Sequence, residues 1–286
     1  HKWPYAVVTG VELMQMPGMI AGYDIYFDNT DFLEWKTRIK YDLIIGIGFA
    51  QADAVKKVAK LFPETKFAIV DGESNEKNVK SLLFEEHEGS YVVGYAAGIK
   101  TKTNVIGFLG GMDIPLIRRF QKGFEAGVKA AQPKAKVIVN YIGATGEAWN
   151  NPAKAKELSL SMISQKADVI FHAAGASGAG LFDAASDKKI YAIGVDSNQN
   201  WMKPGVVLTS MLKKVDVAVY DVIKSVKNND FKGGVNRFGV KSEGVDWALD
   251  EHNKSLWNEA EIKKINKVKA DISSGKISVP DYYKTK

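Results

Sequence analysis

Asp71 and Asp196 each stand directly behind an apolar run, Phe-Ala-Ile-Val before the first and Ala-Ile-Gly-Val before the second. Lys213 lies three residues past the end of a third run, Val-Val-Leu-Thr-Ser. A carboxylate in that place can accept two hydrogen bonds from hydroxyls, an amine or an amide edge, and an ammonium can donate to oxygens. Phe171 ends a further apolar run, and Phe120 sits on the helix that follows the turn Gly110-Gly111-Met112-Asp113; either could stack on a flat ring. Gly175 and Gly178, in Ala-Ala-Gly-Ala-Ser-Gly, allow close backbone approach and leave amide donors beside a helix start. Each residue also has a plainer reading: a turn cap for the acids, core for the aromatics, wet surface for the lysine. Bond-breaking chemistry is poorly provided for. The four histidines, His1, His87, His172 and His252, form no HExxH pair, so no metal site is expected. His172 lies beside the glycine-rich loop, but no Gly-x-Ser-x-Gly elbow supplies a nucleophile for it. There is no cysteine, which removes thiol catalysis and disulfides.

The elements that must position these groups alternate between strand and helix. Strands are predicted over 5–9, 24–27, 42–47, 66–70 and 81–84, with helices over 31–39, 52–61 and 91–99. The polar stretch 100–104 (KTKTN) reads as a crossing between lobes. The alternation then restarts, with strands over 105–109, 136–141, 168–171, 190–195, 206–210 and 237–240. Helices follow over 115–131, 152–166, 178–185, 216–227 and 262–274. Two runs of βα units imply an α/β fold of two Rossmann-like lobes around a hinged cleft. The predicted first lobe is 1–104 plus about 207–234, and the second 105–206 plus about 235–286. In parallel sheets a ligand sits outside the carboxyl ends of the strands, where the residues above collect.

Composition is ordinary for a soluble globular protein. The 286 residues are 45% hydrophobic and 25% charged, with a net charge of +6 carried by scattered lysines. The basic run Lys263–Lys269 alternates with apolar positions and reads as the wet face of a helix, so no nucleic-acid partner is expected. No stretch approaches eighteen unbroken apolar residues.

The strings DLIIGIGFA, FAIVDGE, SYVVGYAAGIKTKTNVIGFLGGMDIPLIRRFQKGFEAGVKA, ADVIFHAAGASGAGLFDAA, YAIGVDSNQ, VLTSMLKKVDVAVYD and FGVKSEGVDWALD together resemble the basic membrane protein family. These are substrate-binding lipoproteins of ABC transporters similar to the purine nucleoside receptor, and the resemblance covers roughly 41–280. It implies a periplasmic-binding-protein type I fold, no enzymatic activity and no cofactor. A nucleoside, expected to be a purine, would bind between two lobes joined by three crossovers. Asp71 would take the polar edge of the base and Phe171 would stack on it, with Phe120 a second stacking candidate. Asp196 would hold the ribose hydroxyls with Gly175 or Gly178, and Lys213 would reach the sugar oxygens from the opposite wall. The resemblance further implies ABC permease subunits as partners, a monomeric receptor, and an extracytoplasmic location through a lipid anchor whose cysteine would precede His1.

One departure concerns the base. The family carries an Asp-Lys-Ser-Phe-Asn-like motif after its first strand, and this chain has VELMQMPGMIAG there. Phe49, Met14 or Met16 are the available apolar substitutes. Three other readings compete: a surface lipoprotein binding host polymers, a receptor for sugars or other small polar ligands, and a nucleoside hydrolase.

Overall fold

The computed structural model describes residues 6–9 and 41–284. The expected strand over 24–27, the helix over 31–39 and Met14, Met16 and Met19 lie outside the described residues. The chain divides into two compact units, His1–Phe84 with Lys214–Phe238, and Glu85–Lys213 with Gly239–Lys286. Among the described residues each unit holds one sheet.

In the first unit the strand order is β1 (Ala6–Thr9), β2 (Leu43–Ile47), β3 (Lys66–Val70), β4 (Val79–Phe84) and β10 (Gly234–Phe238). All four pairings are parallel. Strand β2 is buried at every position and β3 at all but its first. Such continuous apolar runs, with no polar alternation, are the signature of strands covered on both faces. Helices α1 (Ala52–Leu61) and α6 (Val215–Lys227) belong to this unit and bury Val55 and Val58, and Val219 and Val222, respectively.

The second unit carries a six-stranded sheet in the order β11 (Val245–Trp247), β9 (Val207–Lys213), β8 (Tyr191–Asp196), β7 (Val169–Ala173), β5 (Val105–Met112) and β6 (Lys136–Gly143). Only β11 runs antiparallel, against β9. Its helices are α2 (Glu86–Lys100), α3 (Pro115–Ala131), α4 (Pro152–Ser164), α5 (Gly178–Lys188) and α7 (Glu259–Ser273). Pro115 and Pro152 open α3 and α4, where a missing N–H costs nothing. Asn258 and Glu261 close a capping box on α7. Phe108, Phe124 and Phe171 fill the core, with ring centroids 5.0 to 6.1 Å apart.

Helices α2 and α3 meet backbone to backbone. Gly94 and Gly98 on α2 face Gly123 and Gly127 on α3. A methyl at Gly94 would overlap the Phe124 carbonyl oxygen, one at Gly123 the carbonyl of His87, and one at Gly127 the carbonyl of Tyr91. Two Gly-x-x-x-Gly ridges, one turn of spacing each, let the axes approach this closely.

The unit boundaries differ from the sequence expectation at every crossing. The chain changes unit at 84/85, 213/214 and 238/239. Helix α2, expected in the first lobe, joins the second because its glycine ridge matches that of α3. Residues 101–104 are therefore a loop within the second unit. They are pinned by Asp168, which accepts from Thr101 Oγ1 at 2.7 Å and from the amides of Lys102 and Thr103 at 2.6 and 2.9 Å. Strand β9 pairs with β8 in the second unit, and β10 pairs with β4 in the first. Both are expected in the other lobe: the sequence pattern does not show whether β9 continues the sheet of β8 or crosses over, and the partner of β10 is a strand far back in the sequence.

Candidate functional site

The second unit gathers its chemistry along the carboxyl ends of its parallel strands. Asp196 is the last residue of β8 and has φ 63°, in the left-handed region. Few non-glycine residues adopt this conformation; Asp tolerates it better than most, and a residue held there is strained relative to an ordinary strand end. The conformation turns the chain out of the sheet at the carboxylate. Lys213 ends the adjacent strand β9, one residue beyond the Asp196–Leu212 register pair. Asp196 and Lys213 thus stand at the carboxyl ends of adjacent parallel strands in one sheet. The expectation that Lys213 lies in the other lobe from Asp196 is corrected by this pairing.

A buried polar network fixes the turn after Asp196. Gln199 Oε1 accepts the amide of Val195 at 2.8 Å and pairs with His172 Nε2 at 3.1 Å. Since that oxygen only accepts, His172 donates from Nε2. The Gln199 amide donates to Ser210 Oγ at 3.0 Å, and Ser210 donates to Asn200 Oδ1 at 2.9 Å. Asp250 then accepts from Asn198 at 2.6 Å and Asn200 at 2.9 Å. Gly194 belongs to the same arrangement, because a Cβ there would stand 2.7 Å from both Gln199 Oε1 and Ser210 Oγ. Burial pushes the His172 imidazole down to about 4, against the Gln199 hydrogen bond, so it is neutral at physiological pH. His172, a conceivable catalytic base in the sequence, is a fully buried structural donor.

The glycine loop follows β7. Gly175 has φ 56° and opens a 3-10 turn, Gly175–Ser177, ahead of α5. Gly178 is the first residue of α5, and a side chain there would occupy the position of the His172 ring. Gly178 is therefore explained by packing as well as by access to amides. Phe171 and Phe120 follow the plainer of their two readings, as core residues. Phe171 lies in the middle of β7, is 0% exposed, and contacts the rings of Phe108 and Phe124 at centroid distances of 5.7 and 5.0 Å. Phe120 is buried on α3. Neither ring presents a face at a strand end, because the alternation along β7 turns Phe171 into the core.

The aromatic that does reach this rim is Trp149, which sequence reading passed over. It ends a 3-10 turn, Gly146–Trp149, after β6 and is half-buried. Its ring covers Gly111 near the end of β5, where any Cβ would collide with it, and its carbonyl lies 3.2 Å from a Cβ built on Gly175. The signal available was Gly110-Gly111, read as a turn but in fact strand kept free of side chains under an indole.

Below Lys213 lies a dense ion network. Arg119, 2% exposed, donates Nη1 to Glu86 Oε2 at 2.7 Å and Nε to Asp281 Oδ1 at 2.8 Å, and its Nη2 pairs with Glu85. Lys213, 7% exposed, has Nζ 3.8 Å from Glu86 Oε1. Burial works against the Arg119 charge, but the hydrogen bond to Asp281 and the charges of Glu86 and Glu85 outweigh it and raise its basicity. Glu85, His87 and Asp281 also bring one donor atom each within 4.8 Å of one another. With the Arg119 guanidinium already bonded to both carboxylates, a divalent cation would face a fixed positive charge, and the cluster is better described as an ion network.

In the first unit, Asp71 follows β3, the central strand, with φ 61°. Its amide donates to Leu82 O at 3.0 Å, anchoring the turn. It thus repeats in its own sheet the conformation that Asp196 has in the other. Phe49, one of the apolar substitutes, is 37% exposed at the end of β2.

Comparison with known proteins agrees with this architecture. Residues 27–282 match the family described as ABC transporter substrate-binding protein PnrA-like. A Lactococcus lactis protein named ABC transporter nucleoside-binding protein BmpA is 38% identical over 91% of this chain and 78% of its own length. A Pyrococcus abyssi protein named as an uncharacterized lipoprotein is 33% identical over 74% of this chain and 55% of its own length. An Aeropyrum pernix ABC transporter solute-binding protein superposes with a TM-score of 0.83 at 24% identity, covering 98% of this chain and 94% of that one. That likeness speaks to the fold, a type I periplasmic-binding-protein architecture with two α/β lobes. The chain belongs to the PnrA-like family of ABC transporter substrate-binding proteins, non-enzymatic solute receptors.

Proposed function

We propose that the chain is a receptor for a nucleoside, with a purine riboside the first candidate. The observation that carries this reading is the pair Asp196 and Lys213 on adjacent strand ends, with Asp196 in a strained conformation that a dedicated network maintains. A carboxylate and an ammonium at adjacent strand ends suit the hydroxyls of a sugar, which donate to one and accept from the other. Asp71 takes the polar edge of the base. Trp149 replaces Phe171 as the stacking face, and such stacking is worth on the order of 1 kcal/mol beyond burial. The amides around Gly175 and Gly178 add donors. The Lactococcus lactis relative's name supports the ligand class. The bound form would be read by permease subunits of an ABC transporter, and a lipid anchor would hold a monomeric receptor outside the cytoplasm.

A second reading, a receptor for free sugars, follows from Phe171 being in the core, since it removes one expected wall of the base site. Calorimetric titration of ligand-free, refolded protein with a panel of ribonucleosides, deoxyribonucleosides, free bases and sugars separates the two. Nucleosides binding at micromolar concentration or below, and sugars not at all, is the expected pattern; heat only with sugars overturns the nucleoside assignment.

A further inference from the structure

We propose that Glu86 is the positioning residue for Lys213, and that Arg119 and Asp281 hold Glu86 in place for that purpose. The proposal rests on the reading of Lys213 as a ligand group. Glu86 is the first residue of α2 and is 1% exposed, as buried as the strand interiors around it. Its two carboxylate oxygens have different duties. Oε2 accepts a 2.7 Å hydrogen bond from Arg119, while Oε1 faces Lys213 Nζ at 3.8 Å. The second distance is too long for a hydrogen bond. The contact between the two is therefore one of charge attraction, which favours an ammonium held at this place.

Arg119 in turn is clamped at both ends of its fork. Asp281 grips Nε at 2.8 Å and Nη2 at 3.1 Å, and the Tyr283 ring lies 5.0 Å from the guanidinium carbon. Paired, fork-like contacts of this kind fix geometry as well as charge. The relay runs from residue 281, near the chain's end, through α3 and the start of α2, to the tip of β9. Removing the Glu86 charge would leave Lys213 buried near the Arg119 cation with less compensation. The ammonium would then reorient, and its contribution to the ligand would fall.

The test is a double-variant cycle read by titration with adenosine, guanosine and inosine and with their free bases. Lys213→Met is expected to weaken nucleoside binding by about tenfold or more, the loss of one hydrogen bond to a charged group, and to leave the bases unchanged. Glu86→Gln should weaken nucleosides by about three- to tenfold, spare the bases, and add nothing once Lys213 is Met. Glu86→Asp should recover part of the loss. Asp281→Asn, which leaves both residues in place, should weaken nucleosides in the same sense but less. Because neutralising Glu86 or Asp281 weakens a buried ion network, each variant is titrated well below its own melting temperature, with cooperative unfolding confirmed, which separates these effects from unfolding. Additive losses in the cycle, or equal losses for bases and nucleosides, overturn the positioning role while leaving Lys213 as a ligand group. Full nucleoside affinity in Lys213→Met overturns the sugar assignment itself, and the positioning role with it.

Discussion

Asp71 and Asp196 hold left-handed backbones at the tips of buried strands, with φ of 61° and 63°. A side chain that only capped a turn would be replaced at little cost by glycine, which adopts this region freely. Asp196→Gly is therefore expected to leave thermal stability unchanged or raise it by about 1 kcal/mol, while nucleoside affinity falls at least tenfold. Equal affinity in the glycine variant would make Asp196 a turn residue. His172 gives a second prediction at this scale. Its folded value is about 4 against an ordinary 6.5, because burial penalises the charged ring. The unfolded chain then binds the extra proton first as pH falls. The stabilising contribution is whole above pH 6.5 and is lost as pH drops toward 4, by up to about 3 kcal/mol in an order-of-magnitude sense. Denaturant titrations at pH 7 and pH 4.5 should show a shallower pH dependence in His172→Gln than in the parent; an identical slope would contradict the assignment. The strand-end acids were legible in the sequence because an apolar run followed by a lone carboxylate is a local pattern. Phe171 was not, because which face of β7 it takes depends on register with β5 and β8.

At the scale of elements, the α2–α3 contact sets the limits of the second unit. Gly127→Ala forces a methyl into the Tyr91 carbonyl, and overpacking of this kind costs about 1–3 kcal/mol. Urea denaturation should show a loss of that order or larger, whereas Gly146→Ala, which meets nothing within 4 Å, should be nearly silent. Helix cores such as 115–131 could be read from the sequence directly, since Pro115 and the apolar period define them. The start of α2 at Glu86 was missed by five residues. Its first turn, Glu86 to Gly89, looks like a polar loop, and the side chains are buried by ion pairs and tight packing that only the fold supplies. β5 was cut short for a related reason, since Gly110-Gly111 reads as a turn until Trp149 covers it.

At the scale of the whole molecule, the two-lobed α/β class was legible from the repeated alternation, and the unit boundaries were not. Strand β9 stays with β8, from Ala192↔Val207 to Asp196↔Leu212, before the chain leaves the unit, whereas β10 pairs with β4 far back in the sequence, Gly234 against Lys80. Those pairings also decide the site. Lys213 and Asp196 end adjacent strands because β9 joins β8, and Trp149 follows the end of β6 while Phe171 lies within β7. Trp149→Ala should weaken nucleosides and free bases alike, by about five- to tenfold if stacking contributes on the order of 1 kcal/mol or slightly more. Quenching of tryptophan fluorescence by added nucleoside should diminish in the same variant. The central claim, that this receptor grips a nucleoside through its sugar at Asp196 and Lys213, is tested most directly by calorimetry on ligand-free protein with one nucleoside and its 2′,3′-dideoxy analogue. The account predicts that the riboside binds at least tenfold tighter than the dideoxy form. Equal affinities for the two, or no heat with any nucleoside, would contradict it.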